Sequence, residues 1–449
     1  MTPAAHPGGG PTFVVGAGPS GLAAAWRLQR AGRPVVVLER GDRVGGQIRT
    51  HREDGFLMEQ GSTVLATAYR DVFRLLAEAD LLDELVPSGS VIGFVKDHVV
   101  HNLRSEALFR DGLSTRLVSR REKLALVRLG IDNLRLRRSM SYEDLSLAGA
   151  HDVETPADYC RRHRGLGGDV YEYLVDSTVR GVLATRGDRI SVLEFFFMIN
   201  NVLGSRLHAF REGWSTFPQR LARDLDVRLG AEVREVVPTA QGGVRVSWSD
   251  ADGDHVEEGA AAVVSARADT IPDLVPTLAE ADAAFLRSVV YSYVVAANYA
   301  LSAPPPDQPA LIIQVPRAEA PGLVGVTLEH NKTTNRVPPG KGLACLLSST
   351  ELAEELMDAD DDAVNDALLP LAEQFLPGLT SSVERAWIRR WHPVIVYSRP
   401  GYYREAGAFL RRQDPRSPIQ VAGSFASSSN INTAVASGER SARRLLGGA

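Results

Sequence analysis

The feature that most constrains this chain is a glycine-rich turn near the N-terminus, between an apolar run and a helical segment. Phe13 to Val15 is typical of a short buried strand, and Leu22 to Arg30 is typical of a helix. Between them the sequence reads Gly16-Ala17-Gly18-Pro19-Ser20-Gly21. A second apolar run ends at Glu39, 23 positions after Gly16. This order of strand, turn, helix, strand and acid predicts the start of a Rossmann-type α/β domain.

The turn has the residue types that a bound pyrophosphate requires. We expect Gly16 to permit the turn, Gly18 to let phosphate oxygens approach the main chain, and Gly21 to let helix and strand pack closely. Ser20 lies in the first helical turn, where the helix end offers roughly half a positive charge. Glu39 can accept hydrogen bonds from both ribose hydroxyls and would repel the 2′-phosphate of NADP. The segment therefore predicts an adenine dinucleotide site.

A second glycine pair narrows the choice of dinucleotide. The segment Arg43-Val44-Gly45-Gly46-Gln47-Ile48-Arg49-Thr50 resembles the second glycine doublet of the flavin amine oxidase superfamily, which includes protoporphyrinogen oxidases and carotenoid-type desaturases. That family usually shows R-x-G-G-R-x-x-T, so Gln47 replaces a cation near the flavin with a neutral amide. Bare backbone at Gly45 and Gly46 can pass close to the pyrophosphate and the ring system. The resemblance implies FAD, and we expect it to be non-covalent because no cysteine follows Cys345.

The resemblance continues along most of the chain. Segments similar to family motifs are Gly55 to Ser62, Gly181 to Ser191, Gly213 to Pro218 and Val421 to Gly438. Ser62 stands where proline is common, and Ser424 stands where an acid often binds the ribityl chain. Beyond the residues already named, the candidate cofactor-binding residues are Arg40, Gly61, Ser62, Val233, Gly423, Ser424, Asn432 and Thr433.

The flavin-related pieces are separated in the sequence, which predicts two interleaved domains. A chain of 449 residues is too long for one core. We expect an α/β fold with a discontinuous Rossmann-type FAD-binding domain and a second, α+β substrate domain. The predicted FAD-binding domain combines residues 11–85, 205–275 and 415–449. The predicted substrate domain combines residues 86–204 and 276–414.

Apolar spacing predicts the main elements of the two inserted segments. The first insert is expected to be mainly helical, because residues 70–85 and 115–138 show apolar residues at three-and-four spacing. In the second insert Val289 to Val295 and Leu311 to Val315 predict strands. One long helix is expected from about Ser349 to Leu376.

Glu59 and Tyr291 are the candidate catalytic residues. The resemblance puts Glu59 beside the flavin, where it can act as a base or have a structural role. An uncompensated carboxylate would oppose charge on the reduced flavin, so we expect an arginine partner such as Arg43 or Arg49. Tyr291 matches the position of a lysine that holds a water near N5 in many amine oxidases. Tyr291 and Tyr293 share one face of the expected strand, where a phenol can serve the site or only pack.

The resemblance implies flavin-dependent removal of a hydride from a C–H bond. The expected substrate is medium or large and largely apolar, either a porphyrinogen or an amine, amide or polyene of secondary metabolism. The paired aromatics of many amine oxidases are missing, since Asn430-Ile431-Asn432 stands there. No second nucleotide motif is evident, so dioxygen, a quinone or another carrier would accept the electrons. A redox-neutral isomerase or cyclase and a non-catalytic flavin-binding protein remain as alternatives.

Composition limits the partners of the chain. A formal charge of −5 suggests no nucleic-acid partner, and no apolar run reaches the ~18 residues of a membrane span. Residues Met1 to Pro11 lack the features of a signal peptide, which predicts a cytoplasmic protein. Cys160 and Cys345 lack metal-ligand spacing, so we expect no metal. Monomer and homodimer remain open.

Residues 115–138 form a basic, amphipathic segment. Eight basic residues lie between Arg116 and Arg138, against only Glu122 and Asp132. Five aliphatic residues are interleaved with them, namely Leu117, Leu124, Val127, Ile131 and Leu134. The segment predicts either peripheral contact with an anionic membrane or an ordinary solvated helix pair.

Overall fold

The structure is a computed structural model that describes residues 10–447 except 62, 63, 144, 146, 203 and 393. Its strands are β1 (Thr12–Val15), β2 (Val35–Glu39), β3 (Thr50–Glu53), β4 (Phe56–Glu59), β5 (Leu65–Ala66), β6 (Leu85–Pro87), β7 (Val91–Lys96), β8 (Val99–Arg104), β9 (Leu207–Phe210), β10 (Asp226–Leu229), β11 (Glu232–Pro238), β12 (Val244–Asp250), β13 (Gly253–Gly259), β14 (Ala261–Val264), β15 (Val294–Leu301), β16 (Ile312–Gln314), β17 (Leu323–Leu328), β18 (Gly342–Ser348), β19 (Val383–Trp391) and β20 (Ile419–Val421).

The α-helices lie between these strands and after the last one. They are α1 (Pro19–Arg30), α2 (Arg70–Glu78), α3 (Leu108–Ser114), α4 (Arg120–Leu136), α5 (Pro156–Arg162), α6 (Ser177–Leu183), α7 (Val192–Val202), α8 (Thr216–Ala222), α9 (Ile271–Leu274), α10 (Glu280–Arg287), α11 (Thr350–Leu356), α12 (Asp361–Glu373), α13 (Leu379–Ser382), α14 (Tyr402–Arg412) and α15 (Ile431–Leu445).

A five-stranded parallel sheet organises the N-terminal part of the fold, in the order β10-β2-β1-β14-β20. Its inner strands β1, β2 and β14 are apolar at almost every position because both faces of the sheet are covered there. Val14, Val37 and Val263 pack on one face with α1 and α15. Phe13, Val15 and their neighbours pack on the other face against the antiparallel sheet β11-β12-β13. The carboxyl ends of β1 and β2 therefore meet at one edge, with Gly16 and Glu39 beside each other.

This sheet draws its strands from distant parts of the chain. Residues 12–39, 226–229, 261–264 and 419–421 contribute to it. The predicted α/β class with a second α+β unit is confirmed, as is the predicted order of strand, helix and strand at the N-terminus. The exact domain boundaries stay a prediction.

The second large sheet has seven strands in the order β19-β15-β18-β17-β16-β7-β8. The expectation that the first insert is mainly helical is incomplete, because β7 and β8 belong to this sheet. β7 pairs in parallel with β16, with Ile92 opposite Ile312. Because β7 and β16 are far apart in the sequence, no local pattern indicates that they pair. The β7–β8 hairpin is local but short, so its own sequence signal is weak.

Two predicted elements differ in detail from the structure. The long helix expected from Ser349 to Leu376 is two helices, α11 and α12. The break occurs because Asp360 starts a new helix, its carboxylate accepting from the Ala363 N–H at 2.8 Å. The strand expected from Val289 begins only at Val294, and Tyr291 makes one isolated bridge with Val396.

Candidate functional site

The turn after β1 is tightly packed at two glycines and open at the third. A Cβ on Gly16 would lie 2.4 Å from the Ser265 carbonyl oxygen, and one on Gly21 would lie 2.0 Å from the Gly16 oxygen. A Cβ on Gly18 would meet no described atom within 4 Å. Gly16 also has φ +95°, which favours glycine. Gly18 therefore faces a space that the oxygens of a ligand can reach.

The glycine doublet lies directly against this turn. The Gly45 N–H donates to the Ala17 carbonyl at 2.8 Å. A Cβ on Gly46 would lie 3.2 Å from the Gly18 Cα. Two glycine loops that are distinct in the sequence therefore form one backbone-lined cradle.

Side chains fix the doublet loop from both sides. The Arg43 guanidinium donates to the carbonyls of Gly46 and Ile48, each at 2.8 Å. The Gln47 side-chain amide donates to the Val394 carbonyl at 2.6 Å. A Cβ on Gly61 would lie 2.3 Å from the Gln47 carbonyl oxygen, so Gly61 permits close packing there. Ser62 lies outside the described residues.

Glu39 is held in place by main-chain donors. Its carboxylate accepts from the N–H groups of Ala17 and Gly41, each at 2.7 Å. Because a carboxylate offers about four acceptor positions, it can also accept from hydroxyl groups of a ligand. The Glu39 carbonyl accepts from the Ala231 N–H at 2.9 Å, which places the buried Val233 close by. Arg40 is exposed.

The first turn of α1 completes the cradle. It has no acidic residue, and Gly18 has no side chain that could cap its N–H groups. The positive end of the helix dipole is thus left available to an anion. Ser20 lies in this turn, and a Cβ on Gly438 would lie 2.0 Å from its carbonyl oxygen, so α15 crosses α1 closely. The open Gly18, the free helix end and the oriented Glu39 fit an adenine dinucleotide.

The C-terminal candidates lie between β20 and α15. The Gly423 N–H donates to the Ser437 hydroxyl at 3.1 Å, and Ser424 is half-buried in the turn that follows. The Asn432 side chain accepts from the Asp71 N–H and donates to the Asp71 carboxylate, both at 2.9 Å. The Asn432 side chain thus binds the first turn of α2. The Thr433 hydroxyl donates to the Ser428 carbonyl, so its hydrogen is already used within the chain.

Glu59 is fully buried and has an unexpected partner. Its carboxylate accepts from the Arg336 guanidinium at 2.8 Å, and both side chains are 0% exposed. The expected arginine partner is present, but it is Arg336 and neither of the suggested Arg43 and Arg49. Glu59 also accepts from the Thr50 hydroxyl at 2.8 Å and from the Trp214 N–H at 3.2 Å. No local pattern links Glu59 to an arginine so distant in the chain.

A second buried pair lies beside the first. The Lys332 ammonium lies 2.6 Å from the Glu329 carboxylate, and both side chains are buried. Burial raises the pKa of Glu59, and the positive charges of Lys332 and Arg336 oppose that rise. The four charges balance. The sequence signal for the cluster is the spacing of Glu329, Lys332 and Arg336, which sequence reasoning did not use.

Tyr291 is anchored away from its neighbour Tyr293. The Tyr291 hydroxyl accepts from the Ala268 N–H at 2.9 Å, and burial raises its pKa. Tyr293 instead stacks on the His392 ring at 4.3 Å. The Tyr291 phenol is therefore neutral and still has a hydrogen to donate, and its catalytic role stays a prediction.

A polar network around Glu194 was missed by sequence reasoning. The buried carboxylate accepts from the hydroxyls of Ser398 at 2.9 Å, Ser428 at 2.7 Å and Tyr403. Within the described residues no cation pairs with it. Burial raises the pKa of Glu194, and the hydroxyl donors oppose that rise. Its sequence signal is a lone carboxylate next to Phe195-Phe196-Phe197, which are themselves buried core residues.

The network extends to the start of α15. The Asn430 side-chain amide donates to the Ser428 hydroxyl at 3.3 Å and to the Tyr142 hydroxyl at 3.4 Å. The Tyr142 hydroxyl donates to the Asn201 side chain at 2.8 Å. The position where the family's paired aromatics are missing is thus occupied by hydrogen-bonding groups.

Sequence comparison identifies relatives of the chain. The profile of a family described as flavin containing amine oxidoreductase matches residues 19–446. Protoporphyrinogen oxidase 2, chloroplastic/mitochondrial, of Arabidopsis thaliana is 29% identical over 196 residues, which is 42% of this chain and 35% of that protein. The matched region thus spans about a third of the length of that relative.

Structural comparison finds the same fold in solved structures. A provisionally assigned protoporphyrinogen oxidase from Exiguobacterium sp. 255-15 superimposes with a TM-score of 0.76 at 18% identity, covering 97% of this chain and 98% of that one. Cyclohexylamine oxidase from Brevibacterium oxydans IH-35A superimposes with a TM-score of 0.73 at 16% identity, covering 98% and 99%. At these identities the likeness shows the fold alone.

Proposed function

The chain belongs to the family of flavin containing amine oxidoreductases, and on that premise we propose that it is an FAD-dependent oxidase or dehydrogenase. The proposed reaction removes a hydride from a C–H bond of a medium or large, largely apolar substrate. The observation that carries the choice of FAD is the cradle formed by Gly18 and Gly46, with the Glu39 carboxylate fixed beside it.

The chain's own residues have separable tasks in this proposal. The α1 N-terminus and the bare backbone at Gly18 and Gly46 hold the pyrophosphate, and Glu39 accepts from the adenosine ribose. When bound, the flavin supplies a hydride acceptor at N5 and carries negative charge near N1 after reduction. Gln47 brings a neutral amide to the doublet loop, so that loop offers no side-chain cation at that position. Binding is proposed to be non-covalent.

The polar network favours a substrate with hydrogen-bonding groups. Asn430 and Tyr142 present an amide and a phenol near the start of α15. Both groups are already hydrogen-bonded within the chain, and a porphyrinogen, amine or amide has polar groups that can exchange for these bonds, whereas a hydrocarbon polyene has none. We therefore favour a nitrogen-containing substrate over a polyene.

Two measurements on the purified protein test the proposal. Denaturation followed by chromatography should release intact FAD, and flavin that stays on the chain would contradict non-covalent binding. Anaerobic mixing with a panel of porphyrinogens, amines and amides should bleach the flavin persistently. Product without net reduction of the flavin would instead indicate an isomerase or cyclase. If neither flavin reduction nor product is observed, the result would indicate a flavin-binding protein without turnover. Reoxidation by dioxygen or by a quinone then identifies the electron acceptor.

A further inference from the structure

Helix α4 presents an apolar strip to the solvent. The exposed fractions are 74% for Leu124, 54% for Val127, 42% for Ile131 and 66% for Leu134. Their spacing of three, four and three residues places all four side chains on one side of the helix. By the helical rise the strip is about 15 Å long.

The protein-facing side of the same helix is anchored by polar residues. Asp132 and Asn133 are buried. Asp132 accepts from the Tyr159 hydroxyl at 2.9 Å, and Asn133 accepts from the Asn200 amide at 2.7 Å. An ordinary surface helix has one apolar side, which faces the core. Helix α4 has such a side, where Leu126, Leu129 and Leu136 pack on the core, and it has four further large aliphatic residues on the opposite side.

The strip lies within a concentration of positive charge. Eight basic and two acidic residues lie between 116 and 138, in a chain whose formal charge is −5. Arg128 and Arg135 lie 2.5 and 3.4 Å from the Asp132 carboxylate. Arg120 and Arg121 are exposed, and neither forms an ion pair within the described ranges. Apolar side chains flanked by cations match the boundary between lipid headgroups and acyl chains.

We propose that this strip docks the protein on an anionic lipid bilayer, with α4 lying in the plane of the interface. A second copy is a poorer occupant, because two such faces would bring like charges together. Four aliphatic side chains are also far fewer than the roughly 20–30 residues on each side of a stable protein interface. The proposed contact is with the bilayer surface. No helix in the described part of the chain is both long and apolar enough to span a membrane.

Vesicle co-sedimentation of the flavin-loaded protein tests this proposal. One set of vesicles contains phosphatidylcholine alone, and the other contains equal parts of phosphatidylcholine and phosphatidylglycerol. Wild-type protein should sediment with the anionic vesicles only, and less so as salt shortens the Debye length from about 30 to about 3 Å. Replacing the strip (L124S, V127S, I131S and L134S together) should lower partitioning by about tenfold or more.

A matched control separates the strip from general surface apolarity. V256S with V290S removes two exposed aliphatic residues elsewhere, 65% and 38% exposed, and should leave vesicle binding unchanged. Flavin content and unfolding temperature of each variant show whether it is folded. The proposal is overturned if wild-type protein ignores anionic vesicles at low salt, or if the strip variant binds as wild type does. It is also overturned if the strip mutations convert a dimer into a monomer. Each readout is independent of turnover, so the proposed function stands or falls separately.

Discussion

Arg336 donates to Glu59 at 2.8 Å, although the two residues are 277 positions apart in the sequence. Both side chains of this ion pair are fully buried. The same guanidinium donates to the Phe210 carbonyl at 3.0 Å. Glu59 in turn accepts from the Trp214 N–H. The pair therefore fastens β4 and the end of β9 to the segment that follows β17.

Breaking this pair should destabilise the fold strongly. Arg336→Met leaves a buried carboxylate without its partner, which costs about 3–5 kcal/mol. Thermal unfolding of the flavin-loaded protein measures the loss. Arg234→Met removes an exposed pair, with side chains 61% and 73% exposed, and should cost at most about 1 kcal/mol. Equal effects of the two variants would contradict the role assigned to burial.

Glu59→Gln distinguishes a structural from a catalytic role. We expect reduced stability with flavin reduction by substrate retained, because Arg336, Thr50 and Trp214 already occupy the carboxylate. The measurement is the anaerobic rate of flavin reduction at full FAD occupancy. A folded, fully loaded variant that reduces its flavin a hundredfold more slowly or worse, the usual scale of a lost general base, would show that Glu59 acts in catalysis.

Two glycines of the glycine-rich turn after β1 should respond differently to replacement by alanine. Gly18→Ala adds a methyl group where no described atom lies within 4 Å, so the apoprotein should keep its stability while FAD affinity falls. Gly21→Ala places a Cβ 2.0 Å from the Gly16 oxygen, so the fold itself should weaken. Unfolding of the apoprotein and titration with FAD measure the two effects. Unchanged FAD affinity in Gly18→Ala would argue against the cradle.

Stability should fall as the solution becomes acidic, in part through His330. Burial lowers the pKa of this ring below its ordinary value of 6.5, and Nδ1 accepts from the Leu343 N–H at 3.1 Å. The unfolded chain then binds the proton more readily than the folded one. The stability contribution is complete above about pH 6.5 and is lost as the pH falls towards the folded-state pKa. His330→Gln should flatten this fall in urea unfolding, whereas the exposed His98→Gln should not.

Both cysteines should be inert in the native protein. Burial raises the pKa of Cys160 and of Cys345 to about 12, so almost no thiolate is present at neutral pH. We expect alkylating reagents to modify neither thiol until the chain is unfolded. Mass spectrometry after timed exposure checks this, and rapid native labelling of Cys345 would show that β18 opens readily.

Local patterns were sufficient where neighbouring residues determine structure. The strand, turn and helix at Thr12–Arg30 follow from apolar runs and glycines, and the structure has them at the expected places. The Arg336 partner of Glu59 and the pairing of β7 with β16 depend on residues far apart, so no local pattern carries them. The break before α12 was readable in principle, because Asp360 is a good N-cap.

The position of β20 and α15 has a consequence for biosynthesis of the protein. β20 forms the edge of the five-stranded sheet beside β14, and α15 packs across α1 through Gly438. Both elements come from the last thirty or so residues of the sequence. On the ribosome β20 and α15 emerge after every other strand of this sheet, so the nascent chain holds one edge of the sheet uncovered until these two elements are made. Cofactor loading should therefore follow synthesis of α15.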